Sequence, residues 1–282
     1  MYHISTHNRL WLTVPIAILL AVAAGCGLLV DGLYRDVPSM VTQAKAQDIV
    51  SLGVVLPILM ITAVLTLRGS LRARLIWLGA LVYLVYTYAS FAFAIRYNPL
   101  FIAYIALLGC SLYALIINLA TIDYAEMKAR FASRLPAKVV CLFFVLIVIL
   151  FYYFWLSELI PALIAGRIPQ SILDDGTPTN AIHVLDMAWI LPSFGIAAVS
   201  LWRKGSLGYT LAGILLPFFV LLVSAVLSMG LLVVWEGDPE AFPMVVMFGA
   251  LLVIAIGMVI WYLKGLHLPQ GVKNAAAAST GK

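Results

Sequence analysis

Eight stretches of this chain run for roughly 20 residues with scarcely a charge in them, the length at which a helix crosses a bilayer. They span residues 10–30, 49–67, 75–95, 99–121, 138–160, 182–202, 208–234 and 242–263. At about 1.5 Å of rise per residue, each reaches across about 30 Å of hydrocarbon. The chain is 64% hydrophobic and only 10% charged, where soluble domains carry about a quarter charged residues. No soluble fold buries that much apolar surface. A membrane β-barrel would alternate apolar and polar residues in segments of about 10, and these runs are continuous. The expected fold is therefore all-α, a polytopic bundle of eight transmembrane helices.

The cations set its orientation. One set of loops holds Arg68, Arg72 and Arg74, then Lys128, Arg130, Arg134 and Lys138, then Arg203 and Lys204, with Arg9 and Lys264 near the ends. The alternate loops hold only Arg35, Lys45, Arg96 and Arg167. This positive-inside bias puts both termini in the cytoplasm. The net charge of +5 then reflects topology, and nucleic acid drops out as a partner. The acids run the other way: Asp31, Asp36, Asp48, Glu158, Asp174, Asp175, Asp186, Glu236, Asp238 and Glu240 fall on or near the outer side.

No loop is long enough for a soluble domain, and no phosphate-binding, dinucleotide, kinase or protease signature is present. Three cysteines, Cys26, Cys110 and Cys141, lie in separate apolar runs without a CxxC, so neither a disulfide framework nor a redox pair is expected. Of four histidines, only His183 lies beside a span. That supplies neither a haem ligand set nor a zinc cluster, and no metal or cofactor is expected. "LLAVAAGC", ending at Cys26, loosely resembles a lipoprotein signal. The apolar run continues past it, however, and at about 21 residues exceeds a signal core, so the first span is expected to be retained.

Two stretches of the chain look alike. "DIVSLGVVLPILMITAVLTLRGSL" (48–71) matches "HVLDMAWILPSFGIAAVSLWRKGSL" (183–207), aligning Leu56-Pro57 with Leu191-Pro192 and Arg68 with Arg203. Two parallel four-helix halves follow, residues 1–134 and 135–266, with a disordered cytoplasmic tail at 267–282. Parallel repeats imply a pseudo-two-fold axis along the membrane normal. The alternative is that Leu-Pro and Gly-Ser-Leu are common membrane punctuation.

The repeat aligns Asp48 with His183 and Ser51 with Asp186, which puts polar groups at the outer start of the second helix of each half. Asp186 falls roughly 6 Å inside its span. An intramembrane acid marks a functional site unless it sits at headgroup level. His183, three residues earlier, shares its helix face. These four residues, with Glu158 before Pro161, form the candidate ligand or ion site, and Arg96 is a candidate partner for Asp186, Glu158 or Asp48. A second candidate is a polar stripe: Tyr83, Thr87, Ser90 and Tyr97 on the third span, Asn98 in the turn, and Tyr104, Ser111 and Asn118 on the fourth. Such stripes more often join helices than bind ligands. Small-residue rows at Ala17, Ala21 and Gly25, at Ala106, Cys110 and Ala114, and at Gly249 and Gly257 read as close helix packing.

The segments "RGSLRARLIWLGALVYLVYTYASFAF", "YNPLFIAYIALLGCSLYALI", "WLSELIPALIAG" and "PTNAIHVLDMAWILP" resemble a family of uncharacterised bacterial integral membrane proteins of about eight helices. The likeness runs from the second span to the seventh. It implies a multi-pass protein of the bacterial cytoplasmic membrane. The family has no assigned activity, so the resemblance carries over no functional residue. Three functional readings remain open. The first is a small-solute or ion transporter or binding protein with a site near the outer leaflet. The second is an accessory or assembly subunit, or a homo-oligomer, packed against a membrane partner. The third and weakest is a membrane-embedded enzyme using His183 with a carboxylate on a lipid-like substrate.

Overall fold

The computed structural model describes residues 10–131 and 137–266. The expected tail, 267–282, and the expected boundary between the halves lie outside the described residues. Within these, every regular element is helical: α1 (Thr13–Leu29), α2 (Pro38–Leu67), α3 (Leu71–Ala94), α4 (Phe101–Ala120), α5 (Tyr124–Ala129), α6 (Ala137–Ile164), α7 (Gln170–Asp175), α8 (Ala181–Trp202), α9 (Ser206–Trp235) and α10 (Phe242–Lys264). Seven of them, α2, α3, α4, α6, α8, α9 and α10, are long and apolar enough to cross a membrane. The chain is a multi-pass membrane protein. The apolar α1 is shorter, at 17 residues.

Two features differ from the sequence expectation. The second span begins at Pro38, not near residue 49. The polar stretch before Asp48 stays helical because proline is compatible with the first turn and because its polar side chains turn inward, with Thr42, Gln47 and Asp48 all buried. The short helices α5 and α7, too brief to show a period, occupy stretches read as loops. Asp123 caps α5 by accepting from Glu126 N at 2.9 Å, and Asn180 caps α8 by accepting from Ile182 N at 2.9 Å and His183 N at 3.1 Å.

α3 and α9 cross at the centre. A Cβ added at Gly79 would sit 2.7 Å from the Ile214 carbonyl oxygen and 2.9 Å from Phe218 N, so the two backbones meet there. α2 and α4 flank α3. α8 and α10 flank α9, α2 also reaches α9, α6 packs on α8, and α1 lies against α2 and α4. The most apolar stretch of α3 is 83% buried, against 11% for α10, so α3 is the spine and α10 the rim.

α2 and α8 share an irregularity. Each carries a π turn immediately before its Leu-Pro pair, Ser51–Val55 in α2 and Asp186–Ile190 in α8. Leu56 N–H bonds the Ser51 carbonyl and Leu191 N–H bonds the Asp186 carbonyl, five residues back. In that register the next carbonyls, of Leu52 and Met187, face Pro57 and Pro192, which have no N–H to give. Such turns recur at functional sites. Both lie toward the end of the bundle that carries the acid-rich loops, called the acidic end below.

Candidate functional site

α8 brings two sequence-flagged residues to its π turn. Asp186, the first residue of the turn, is buried, as is His183 one turn earlier. Asp186 Oδ1 accepts from the Tyr86 hydroxyl of α3 at 2.9 Å, and Oδ2 accepts from Trp155 Nε1 of α6 at 2.9 Å. The carboxyl group thus ties three helices together through neutral donors. Among the described residues no cation pairs with it. His183 lays its ring against Trp155, with centroids 4.5 Å apart. Its Nε2 is buried and has no hydrogen-bond partner. His183 and Asp186 share a helix face but do not bond each other, because both Asp186 oxygens turn toward Tyr86 and Trp155.

The π turn leaves the Met187 carbonyl facing Pro192, and the Tyr152 hydroxyl of α6 donates to it at 2.8 Å. A backbone group inside a membrane must find such a partner. Tyr152 and Trp155, three apart on α6, hold respectively the loosened backbone and the acid of α8.

α2 carries the matching arrangement one turn earlier. Asp48 is buried and accepts from the Tyr34 hydroxyl at 2.5 Å. Tyr34 lies in the loop after α1. Burial first, then the neighbouring Asp48 and Tyr104, push its phenol well above the usual value, so it remains a donor. Gly27 of α1 makes room for this pair: a Cβ there would collide with the Asp48 carboxyl group and the Tyr34 hydroxyl. Ser51, fully buried, faces the Tyr83 hydroxyl. Gln47 Nε2 donates to Tyr83 Oη at 3.1 Å and to Thr87 Oγ1 at 2.7 Å.

α3 therefore stands between two polar clusters. Tyr83 and Thr87 face α2, while Tyr86 faces α8. The two clusters are held by separate partners, and among the described residues Asp48 and Asp186 bond Tyr34, Tyr86 and Trp155 and not the residues of the opposite cluster. The rest of the polar stripe scatters. Ser90 bonds the Tyr86 carbonyl of its own helix at 3.0 Å, and Tyr97 is exposed. Tyr104 joins Tyr34 and receives Asn98 Nδ2 at 3.5 Å. Ser111 is buried with its hydroxyl unpartnered, and Asn118 donates to the Ala114 carbonyl at 2.9 Å.

Glu158 and Arg96 serve the loops at the acidic end. Glu158 Oε1 accepts from Ser171 N at 2.8 Å, fastening α7 to the end of α6. Arg96 donates its backbone N–H to Asp36 Oδ1 at 2.9 Å and its guanidinium to the Arg35 carbonyl at 3.3 Å, and pairs with none of Asp186, Glu158 or Asp48. α7 also docks on α2: Ser39 donates to the Asp174 carbonyl at 3.3 Å, and Gln43 bonds the Asp175 side chain. Burial, and behind it the like charges of Asp174 and Glu158, push Asp175 above the usual carboxylate range, with the Gln43 bond opposing.

Sequence reasoning missed Tyr34, Gln47, Tyr86, Tyr152 and Trp155 as site residues. Tyr152 and Trp155 read as part of an aromatic membrane belt. Only Gln47 carried a local signal, as the polar neighbour of Asp48. No group of three or more metal-ligating side chains gathers among the described residues. Toward the opposite, basic end the interior is filled by Leu59, Leu75, Trp77, Leu78, Phe194, Phe218 and Phe219. Compared with protein-family models, curated proteins and solved structures, the chain matches none.

Proposed function

We propose that this protein binds and moves a small solute or ion across the bacterial cytoplasmic membrane, through a site near the outer leaflet built on the π turns of α2 and α8. The observation that carries this reading is Asp186. It is an acid buried in a membrane span, at the first position of a π turn, beside a histidine nitrogen with no partner. Interrupted helices at matching positions of two halves are where transporters of repeat architecture place their sites. The matching π turns, the Leu-Pro pairs and the pairing of α3 with α9 support two parallel four-helix halves, residues 1–134 and 135–266. In this reading α1 is an eighth span of about 25 Å and both termini are cytoplasmic. The apolar filling toward the basic end makes this conformation closed to the cytoplasm, and the π turns are the places where α2 and α8 flex.

The test is native mass spectrometry of protein released gently from its own membrane, wild type beside Asp186→Asn. A small molecule carried by wild type and lost from the variant supports the reading. A small molecule held equally by both, or by neither, contradicts it.

A second reading, an accessory or assembly subunit, is favoured by α10. That helix is held mainly by α9, and a Cβ at Gly249 or Gly257 would meet nothing within 4 Å. Those glycines face outward, toward lipid or a membrane partner, and not into the bundle. If the outward face docks a partner, Gly249→Leu and Gly257→Leu will release a co-purifying membrane protein while leaving the monomer folded.

A further inference from the structure

We infer that His183 and Glu158, where α6 and the start of α8 meet, bind an organic cation with N–H donors, an alkylammonium compound arriving from the acidic end. This names the ligand class of the site just proposed and rests on that reading.

Charge is the first ground. Glu158, Asp174 and Asp175 gather where α6, α7 and the start of α8 meet. Their hydrogen-bond donors are neutral: Ser171 N to Glu158, Gln170 Nε2 to Asp174 at 2.7 Å, and Asn180 Nδ2 to Asp175 at 3.3 Å. None has an ion pair among the described residues. Arg167 in the same loop is exposed and pairs with none of them. Three carboxyl groups without a counter-ion create a negative mouth, which raises the local concentration of cations. Burial first raises Asp175, and the like charges of Asp174 and Glu158 add to it.

His183 supplies the independent ground. It is 4% exposed, and its Nε2 has no partner, whereas buried polar atoms are nearly always bonded. Glu158 is the charged group that acts on His183, and it also acts on Asp175. It sits three residues from Trp155, whose ring His183 covers, so Glu158 and Trp155 share one face of α6. With its ring proton on Nδ1, the His183 imidazole presents Nε2 as an acceptor for a proton-bearing group. An ammonium N–H satisfies it while the charge is met by the Glu158 oxygen that Ser171 leaves free. A bare metal ion fits less well, because among the described residues no three ligating side chains converge.

The experiment measures thermal stabilisation and calorimetric binding for the full-length protein in lipid nanodiscs. The probes are ethanolamine, putrescine and spermidine, with tetramethylammonium, which has no N–H, and succinate as controls. At least one primary amine is expected to bind saturably and tetramethylammonium at least tenfold more weakly. Glu158→Gln and His183→Phe should each lower amine affinity about tenfold or more, roughly 1.4 kcal/mol. His183→Gln keeps an acceptor and should recover part of it. Asp238→Asn, in another loop of the same end, should leave it unchanged. Amine binding that is equal in wild type, Glu158→Gln and His183→Phe overturns the inference, as does an equal response to tetramethylammonium or to succinate. If no amine binds but an anionic or neutral solute is lost with Asp186→Asn, the cation class is wrong and the binding site stands. If nothing binds in either experiment, both fall.

Discussion

Tyr152→Phe isolates the link between the π turn and α6. The Tyr152 hydroxyl donates to the Met187 carbonyl at 2.8 Å, and that carbonyl has lost its own helical partner because Pro192 stands five residues on. Removing the hydroxyl orphans a part-buried backbone acceptor. Orphaned groups cost about 1–3 kcal/mol, while hydrogen bonds between membrane helices average about 0.6 kcal/mol and reach about 1.7. The ranges overlap near 1–1.7 kcal/mol, which is the expected loss. Pro192→Ala changes the outcome, because a continuous helix then gives the Met187 carbonyl a backbone N–H without help from α6. In that background Tyr152→Phe should cost less than about half as much, an interaction energy of the size that contacting residues show. Reversible unfolding in mixed micelles, run on all four members of the cycle, gives the number. Deuterium exchange at residues 186–192 should rise in Tyr152→Phe alone. An equal cost of Tyr152→Phe in both backgrounds would refute the account of the π turn.

Other outcomes follow from the same geometry. Gly27→Ala should drive a Cβ into the Tyr34–Asp48 pair and cost about 1–3 kcal/mol, as overpacking does, read by unfolding in mixed micelles. Gly79→Ala should force α3 and α9 apart and cost about 1–3 kcal/mol, as overpacking does, whereas Gly249→Ala, open on its Cβ side, should change stability little. Asp175 is raised in the folded protein, so its stabilising contribution is fully present below the unfolded value near about 4 and is lost as pH rises through the folded value. Asp175→Asn should therefore raise Tm at pH 7 and flatten the decline in Tm between pH 4 and 7.

The spans were legible because a helix in lipid needs an unbroken apolar run, and that signal is local. Pro38–Asp48 was not, because its polar residues face α3 and the loop after α1, contacts that no period within the stretch reveals. The π turns were also hidden. Their one sequence trace is the proline that follows, and Pro217 lies inside α9 with no π turn before it. Asp48, His183 and Asp186 stood out as polar groups against an apolar background. Their partners did not, since Tyr34, Tyr86 and Trp155 are separated from them by 14 to 100 residues and resemble the aromatics of any membrane interface. Arg96 was a natural partner by charge alone, but the turn that places it bonds Asp36 and Arg35 instead.

The most direct measurement is a cryo-EM map of the protein in nanodiscs formed from its own membrane, with no exchange into detergent. The account predicts density that belongs to neither protein nor lipid tail, within hydrogen-bonding distance of His183 Nε2 and lost in Asp186→Asn. A well-resolved site in which His183 Nε2 meets only a side chain or an ordered water, unchanged in the variant, would contradict it.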